Sequence, residues 1–203
     1  MKSLVLLVAS LCVLNAGYIK EALSAKDDHN KLAQIYEDAC DKEKKASGCY
    51  NLAVLYSRGD GNVKKDEAKA AMLYEKACDQ NFSMACSNLG YLYAQGEGTE
   101  KDYARAKTYY EMACANEAGI GCDNLGFLYV YGQGVDQNLT KATKLYEQAC
   151  IYAYEKGCNN YAIMLAEGKG VKEDVEKARE IFTKSCKNGL KEACENLEIL
   201  GKH

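Results

Sequence analysis

Apolar residues recur along this chain with the period of a helix. Leu89, Leu92 and Tyr93 stand at i, i+3 and i+4. Ala106, Tyr109 and Tyr110 repeat that spacing, and Cys114 continues it. The two runs differ in their borders. Ahead of the second kind stands an acid or amide: Asp28, Asp66, Asp102, Asn138 and Asp174. A side-chain oxygen there can accept from the free N–H groups of a first helical turn. After the first kind comes Gly-x-Gly, at Gly59/Gly61, Gly96/Gly98, Gly132/Gly134 and Gly168/Gly170. Glycine after a helix permits a left-handed cap and a tight reversal. A phosphate-binding loop would need a preceding strand, and none is indicated. The pattern therefore predicts alternating helices joined by short turns.

The two runs belong to one repeating unit. Cys78, Cys114, Cys150 and Cys186 are 36 residues apart, and so are Cys86, Cys122, Cys158 and Cys194. First halves read CYNLAVLYSRGDG, CSNLGYLYAQGEG, CDNLGFLYVYGQG and CNNYAIMLAEGKG. Second halves read DEAKAAMLYEKAC, DYARAKTYYEMAC, NLTKATKLYEQAC and DVEKAREIFTKSC. A lone second half, DHNKLAQIYEDAC, opens the array at 28–40, and a lone first half closes it at 190–200. Full repeats are expected at about 46–78, 83–114, 119–150 and 155–186. Leu52, Leu55, Leu89, Leu92, Leu125, Leu128, Tyr74, Tyr110 and Tyr146 are the expected core. Ala53, Gly90, Gly126 and Ala162 allow helices to approach closely.

Cysteine spacing constrains the turns. On one continuous helix, Cys78 and Cys86 would lie roughly 12 Å apart. A disulfide needs Cα atoms within about 7 Å. An oxidised pair therefore requires the chain to reverse between its members. The expected bridges are Cys40–Cys49, Cys78–Cys86, Cys114–Cys122, Cys150–Cys158 and Cys186–Cys194. A metal centre would need further ligands, and only His29 and His203 exist, one near each end. No Cys-x-x-Cys redox motif is present.

The N-terminus supplies the compartment. Lys2 precedes a short apolar segment, Leu4 to Leu14, and Ala16 offers a small residue before Gly17. This reads as a secretory signal over 1–16, too short for a membrane span. Its removal takes away Cys12 and leaves ten of the 11 cysteines, an even number. Export into an oxidising compartment, the periplasm or beyond the cell, makes disulfides the default state. A net charge of -3 gives no reason to expect nucleic acid.

The unit N-L-G-x-L-Y-x-x-G-x-G followed by K-A-x-x-Y-Y-E-x-A-C resembles the Sel1-like repeat, a relative of the tetratricopeptide repeat. With Cys-x7-Cys in nearly every unit, the chain is similar to the secreted Helicobacter cysteine-rich proteins. The resemblance covers residues 17–203 and implies an all-α, right-handed α/α superhelical solenoid of disulfide-linked helix pairs. It implies a monomeric scaffold that binds a protein, a peptide or a cell-wall-related ligand, with no cofactor. It also implies penicillin binding or weak β-lactamase activity, as members of the cysteine-rich family are described. The residues do not add to that second reading. A serine β-lactamase commonly uses Ser-x-x-Lys, and no serine here has Lys three positions on: Ser83 leads to Cys86 and Ser185 to Asn188.

Candidate binding residues fall in rows. Positions expected on the concave side vary between units: Tyr50, Ser87, Asp123 and Asn159; Val54, Tyr91, Phe127 and Ile163; Arg58, Gln95, Tyr131 and Glu167. An unvarying row holds Asn51, Asn88, Asn124, Asn160 and Asn196, each two residues after a cysteine. Such amides can tie one repeat to the next. By the tetratricopeptide resemblance they can instead hold a ligand's main chain. Tyr50, Arg58, Tyr91, Phe127, Tyr131 and the first four asparagines are the candidate ligand contacts. Asn81 and Asn138 are Asn-x-Ser/Thr acceptor sites for glycosylation. Each has an aspartate two residues earlier, Asp79 and Asp136, and this extended form resembles a bacterial periplasmic acceptor.

Overall fold

A computed structural model describes residues 16–26 and 28–201. The predicted signal segment, Cys12 included, lies outside the described residues apart from Ala16. Among the described residues there are eleven helices and no strand. They are α1 (Ala16–Ser24), α2 (His29–Asp41), α3 (Ala46–Arg58), α4 (Glu67–Cys78), α5 (Ser83–Gln95), α6 (Tyr103–Ala115), α7 (Gly119–Tyr131), α8 (Leu139–Ile151), α9 (Glu155–Ala166), α10 (Val175–Lys187) and α11 (Lys191–Leu200). Each helix packs on its sequence neighbours. In addition α5 packs on α7, and α7 on α9. The odd-numbered helices thus form the inner wall of a right-handed α/α solenoid, and the even-numbered ones the outer wall.

Local chemistry sets five outer-helix starts and three inner-helix ends. Asp28, Asp66, Asp102, Asn138 and Asp174 cap the outer helices, and each side chain accepts from a first-turn N–H. Inner helices α3, α5 and α7 end on Gly59, Gly96 and Gly132 in the left-handed region. The second glycine of each pair does something else. Gly98 sits so close to the preceding repeat that an added Cβ would stand 2.2 Å from the Glu67 carbonyl carbon. Gly134 and Gly170 abut Tyr103 and Leu139 similarly, and Gly61 abuts the His29 side chain, in each case the first residue of the preceding outer helix. The loop after one inner helix therefore touches the repeat before it, and only a residue without Cβ fits.

Five disulfides close the turns from outer to inner helix, with Cα–Cα distances of 4.3 to 4.8 Å. Each of these turns carries one left-handed residue: Lys44, Asn81, Glu117, Ala153 and Gly189. The core runs unbroken along the array. Leu52, Leu55, Leu89, Leu92, Leu125 and Leu128 are buried, as are Tyr74, Tyr110 and Tyr146. Gly90 and Gly126 lie under the rings of Tyr110 and Tyr146, where a Cβ would come within 2.7 and 2.8 Å.

α1 is an element that the repeat pattern did not predict. It occupies the inner position ahead of α2, so the opening unit is a helix pair and not a lone second half. Its segment lacks the N-L-G-x-L-Y signature, and its anchor is Tyr18. That ring is buried edge-on to Tyr36 at 6.3 Å, and its hydroxyl donates to Ser47 Oγ at 2.7 Å.

Candidate functional site

The inner wall is built from the cysteine end of each odd helix outward. The residue after each cysteine was expected to face a ligand. Ser87 and Asn159 are instead buried, and Tyr50 and Asp123 are half-buried. The physical reason is stacking: the next inner helix lies across this row. Asn160 Nδ2 donates to Asp123 Oδ1 at 2.8 Å, and Asn196 Nδ2 donates to Asn159 Oδ1 at 2.9 Å. The Asn88 amide likewise faces the phenols of Tyr50 and Tyr74, and Asn51 is partnered as well. The asparagine row thus stitches inner helix to inner helix.

One stitch is missing. The residue facing Asn124 is Ser87, whose hydroxyl donates to Ser83 O on its own helix at 3.2 Å. Among the described residues Asn124 makes no side-chain hydrogen bond.

Around Asn124 the wall is aromatic and open. Tyr91, Phe127 and Tyr131 are 46%, 45% and 62% exposed. The Phe127 and Tyr131 rings lie 4.4 Å apart, tilted by 46°. Val54 and Ile163, at the Tyr91 position in the flanking repeats, are half-buried, while Arg58, Gln95 and Glu167 are exposed. Tyr50 is committed to packing: its ring stands 5.8 Å from Tyr74 and 4.9 Å from Phe82. Burial pushes the Tyr74 phenol up to about 12, and raises those of Tyr110 and Tyr146 further. These hydroxyls stay protonated at ordinary pH.

Asp123 is the unusual charge on this face. Burial raises its carboxyl to about 6, partly offset by the hydrogen bond from Asn160 and by the Lys156 charge. None of the ion pairs among the described residues includes it.

A second repeated contact went unread in the sequence. Three residues after the caps Asp66, Asp102, Asn138 and Asp174 stands a cation that covers a tyrosine of the preceding inner helix. Lys69, Lys141 and Lys177 lie 4.1, 4.2 and 5.1 Å from the ring centres of Tyr56, Tyr129 and Tyr161, and Arg105 lies 5.3 Å from that of Tyr93. Each also donates to the phenol oxygen, at 2.6 to 3.0 Å. In the fourth repeat the tyrosine has moved one turn earlier along its helix, and Lys177 still reaches it. These contacts fasten the four helix pairs from α3–α4 to α9–α10 at the end joined by the Gly-x-Gly loop.

The two acceptor sites differ in availability. Asn81 is exposed on the α4–α5 turn with φ 62°, a conformation asparagine tolerates well. Asn138 Oδ1 is occupied as the α8 cap, accepting from Lys141 N at 2.9 Å.

A stack of disulfide-linked helix pairs with an asparagine-stitched inner wall defines an α/α repeat scaffold, a class suited to protein interaction. The chain belongs to the Sel1 repeat family, which matches residues 46–82, 83–117, 120–151 and 155–190. No curated protein sequence matches it significantly. Among solved structures it is similar to Helicobacter pylori cysteine rich protein B, with 32% identity and a TM-score of 0.54, over 68% of this chain and 98% of that one. It is similar to a Sel1 repeat protein from Oxalobacter formigenes, with 27% identity and a TM-score of 0.75, over 81% of this chain. It is also similar to a protective antigen of uropathogenic Escherichia coli with an SLR fold, with 25% identity and a TM-score of 0.80, over 89% of this chain. The chain spans 65% of the Oxalobacter protein and 39% of the Escherichia coli one. Five disulfides suit an oxidising, extracytoplasmic environment. No helix among the described residues is long and apolar enough to cross a membrane.

Proposed function

We propose that this protein is an exported scaffold, periplasmic or secreted, whose inner wall holds an extended segment of a partner protein or peptide. The observation that carries this reading is the run of exposed rings at Tyr91, Phe127 and Tyr131, on helices whose other large apolar side chains are mostly buried. Exposed aromatics grouped on one face mark interaction surfaces, whereas single exposed apolar residues need no explanation. Asn124, whose amide makes no bond among the described residues, offers a donor and an acceptor to a peptide main chain on the same face of α7 as Phe127 and Tyr131. Export is supported by the five disulfides and by the signal-like segment around Leu4 to Leu14. The domain boundaries of the sequence reading, a leader over 1–16 and a solenoid over 17–203, belong to the same proposal.

A photo-crosslinking amino acid at Phe127, compared with one at Met72 on α4 of the outer wall, tests it in the living cell. Reproducible adducts from position 127 that are absent from position 72, and that weaken in an Asn124→Ala background, are expected. Identical adducts from both walls would overturn the assignment of the inner wall.

A further inference from the structure

Asp123, Phe127 and Tyr131 lie at i, i+4 and i+8 on α7, so they line one face of one helix. A carboxylate stands at one end of that stripe and two exposed rings follow it, their centres 4.4 Å apart. Repeat stacking alone does not require the charge. Asn159 holds the equivalent place in the next repeat and accepts the Asn196 amide at 2.9 Å as a neutral group. Asp123 accepts the Asn160 amide at 2.8 Å, a task that a neutral oxygen performs equally well. The carboxylate keeps further acceptor positions that no described residue fills with a hydrogen bond or ion pair. A half-buried, under-partnered negative charge is costly to maintain. A cation arriving from outside would complete it. Aromatic faces beside a carboxylate favour cations with apolar stems, because ring and stem pack together while the charge pairs.

We propose that the inner wall selects a partner segment carrying a lysine or arginine, whose cation pairs with Asp123 while its stem lies along Phe127 and Tyr131. This rests on the reading of the inner wall as a peptide-binding surface, and it specifies the chemistry of the occupant. The groups around Asp123 fit that occupant. Asn160 donates to it from α9, while Lys156 on α9, Tyr146 on α8 and Tyr154 before α9 are near enough to act on it electrostatically. Both of these tyrosines are raised above their ordinary phenol range, so neither competes by ionising near neutral pH. Among the described residues Lys156 is the one cation whose charge bears on Asp123, and it forms no ion pair with it.

The test uses random nonapeptides displayed on phage, selected on the oxidised full-length protein. Selected peptides are then synthesised and their affinities measured for wild type, Asp123→Asn and Phe127→Ala. Asp123→Asn keeps the acceptor for Asn160, and Phe127 is exposed, so both variants should fold. Selected peptides should be enriched in lysine or arginine and bind Asp123→Asn at least tenfold more weakly. Their affinity for wild type should fall about tenfold from pH 7 to pH 5, as the ionised fraction of Asp123 drops. Peptides that lose affinity for Phe127→Ala but show no basic enrichment, and bind Asp123→Asn unchanged, would remove the cation site and leave the peptide-binding wall standing. If no selected peptide depends on either residue, both readings fall.

Discussion

Replacing Gly98 by alanine should cost far more than replacing Gly132, although both glycines adopt nearly the same backbone. Their φ values are 67° and 66°. Either substitution puts a Cβ into the left-handed region, at about 1–2 kcal/mol. Beyond that the two sites part. At Gly132 the nearest atom to an added Cβ is Val135 O, at 3.5 Å, an ordinary contact. At Gly98 the Cβ would lie 2.2 Å from the Glu67 carbonyl carbon and 2.4 Å from its oxygen, both backbone atoms of another repeat. No rotamer change can relieve that overlap, so the loop or the N-terminus of α4 must shift. Overpacking of this kind adds about 1–3 kcal/mol. The totals are about 2–5 kcal/mol for Gly98→Ala and about 1–2 kcal/mol for Gly132→Ala. Guanidinium unfolding of the oxidised proteins, followed by far-UV circular dichroism, measures both. Hydrogen exchange should show the excess localised at the start of α4. Equal losses of stability would refute the claim that the second glycine is an inter-repeat contact.

Three further outcomes are expected. Ala153 is exposed and left-handed at φ 57°, so Ala153→Gly should stabilise by about 1 kcal/mol, seen as a higher thermal midpoint. The paired change Cys78→Ser with Cys86→Ser opens a short loop and should cost about 2–3 kcal/mol in chemical denaturation. The folded-state value of Asp123, about 6, lies above its ordinary 3.8, so the folded protein binds the proton more tightly than the unfolded chain. Its contribution is therefore fully present below the ordinary value and is lost as pH rises through about 6. Asp123→Asn should remove this component from a plot of stability against pH, and an unchanged plot would contradict the burial of that carboxyl.

Much of the fold was legible because its determinants are local and repeated. The caps at Asp66, Asp102, Asn138 and Asp174 act within one helical turn, and the cysteine pairs act across one short turn. What the sequence concealed depends on contacts between repeats. The second glycine of each pair reads as turn chemistry, yet its partner lies about 30 residues earlier, at Glu67 for Gly98. The row of Tyr50, Ser87, Asp123 and Asn159 varies as a ligand surface would, but the next inner helix covers Ser87 and Asn159 and partly covers Tyr50 and Asp123. The lysine–tyrosine pairs were open to reading from spacing alone, since the cation is always three residues after the cap. The shift of the tyrosine to position 161 breaks the column in which it would be noticed. α1 was hidden because it keeps an anchoring tyrosine and loses the rest of the motif. For the candidate site, Tyr91, Phe127 and Tyr131 stood out by residue type, whereas the environment of Asp123 comes from α8 and α9 and has no local signature.

The placement of the bridges also sets how the chain would behave under tension. Among the described residues every disulfide joins cysteines eight or nine residues apart, across a turn, and none spans the Gly-x-Gly loop. A molecule pulled from its ends could therefore pay out the 28 residues from Cys86 to Cys114, roughly 95 Å of contour, while the eight from Cys78 to Cys86 stay shorted by sulfur. Extension would proceed in near-equal lengths set by the spacing between clasps, and reduction would lengthen each step by the slack held inside one. Such a chain would act as a spring of countable stops.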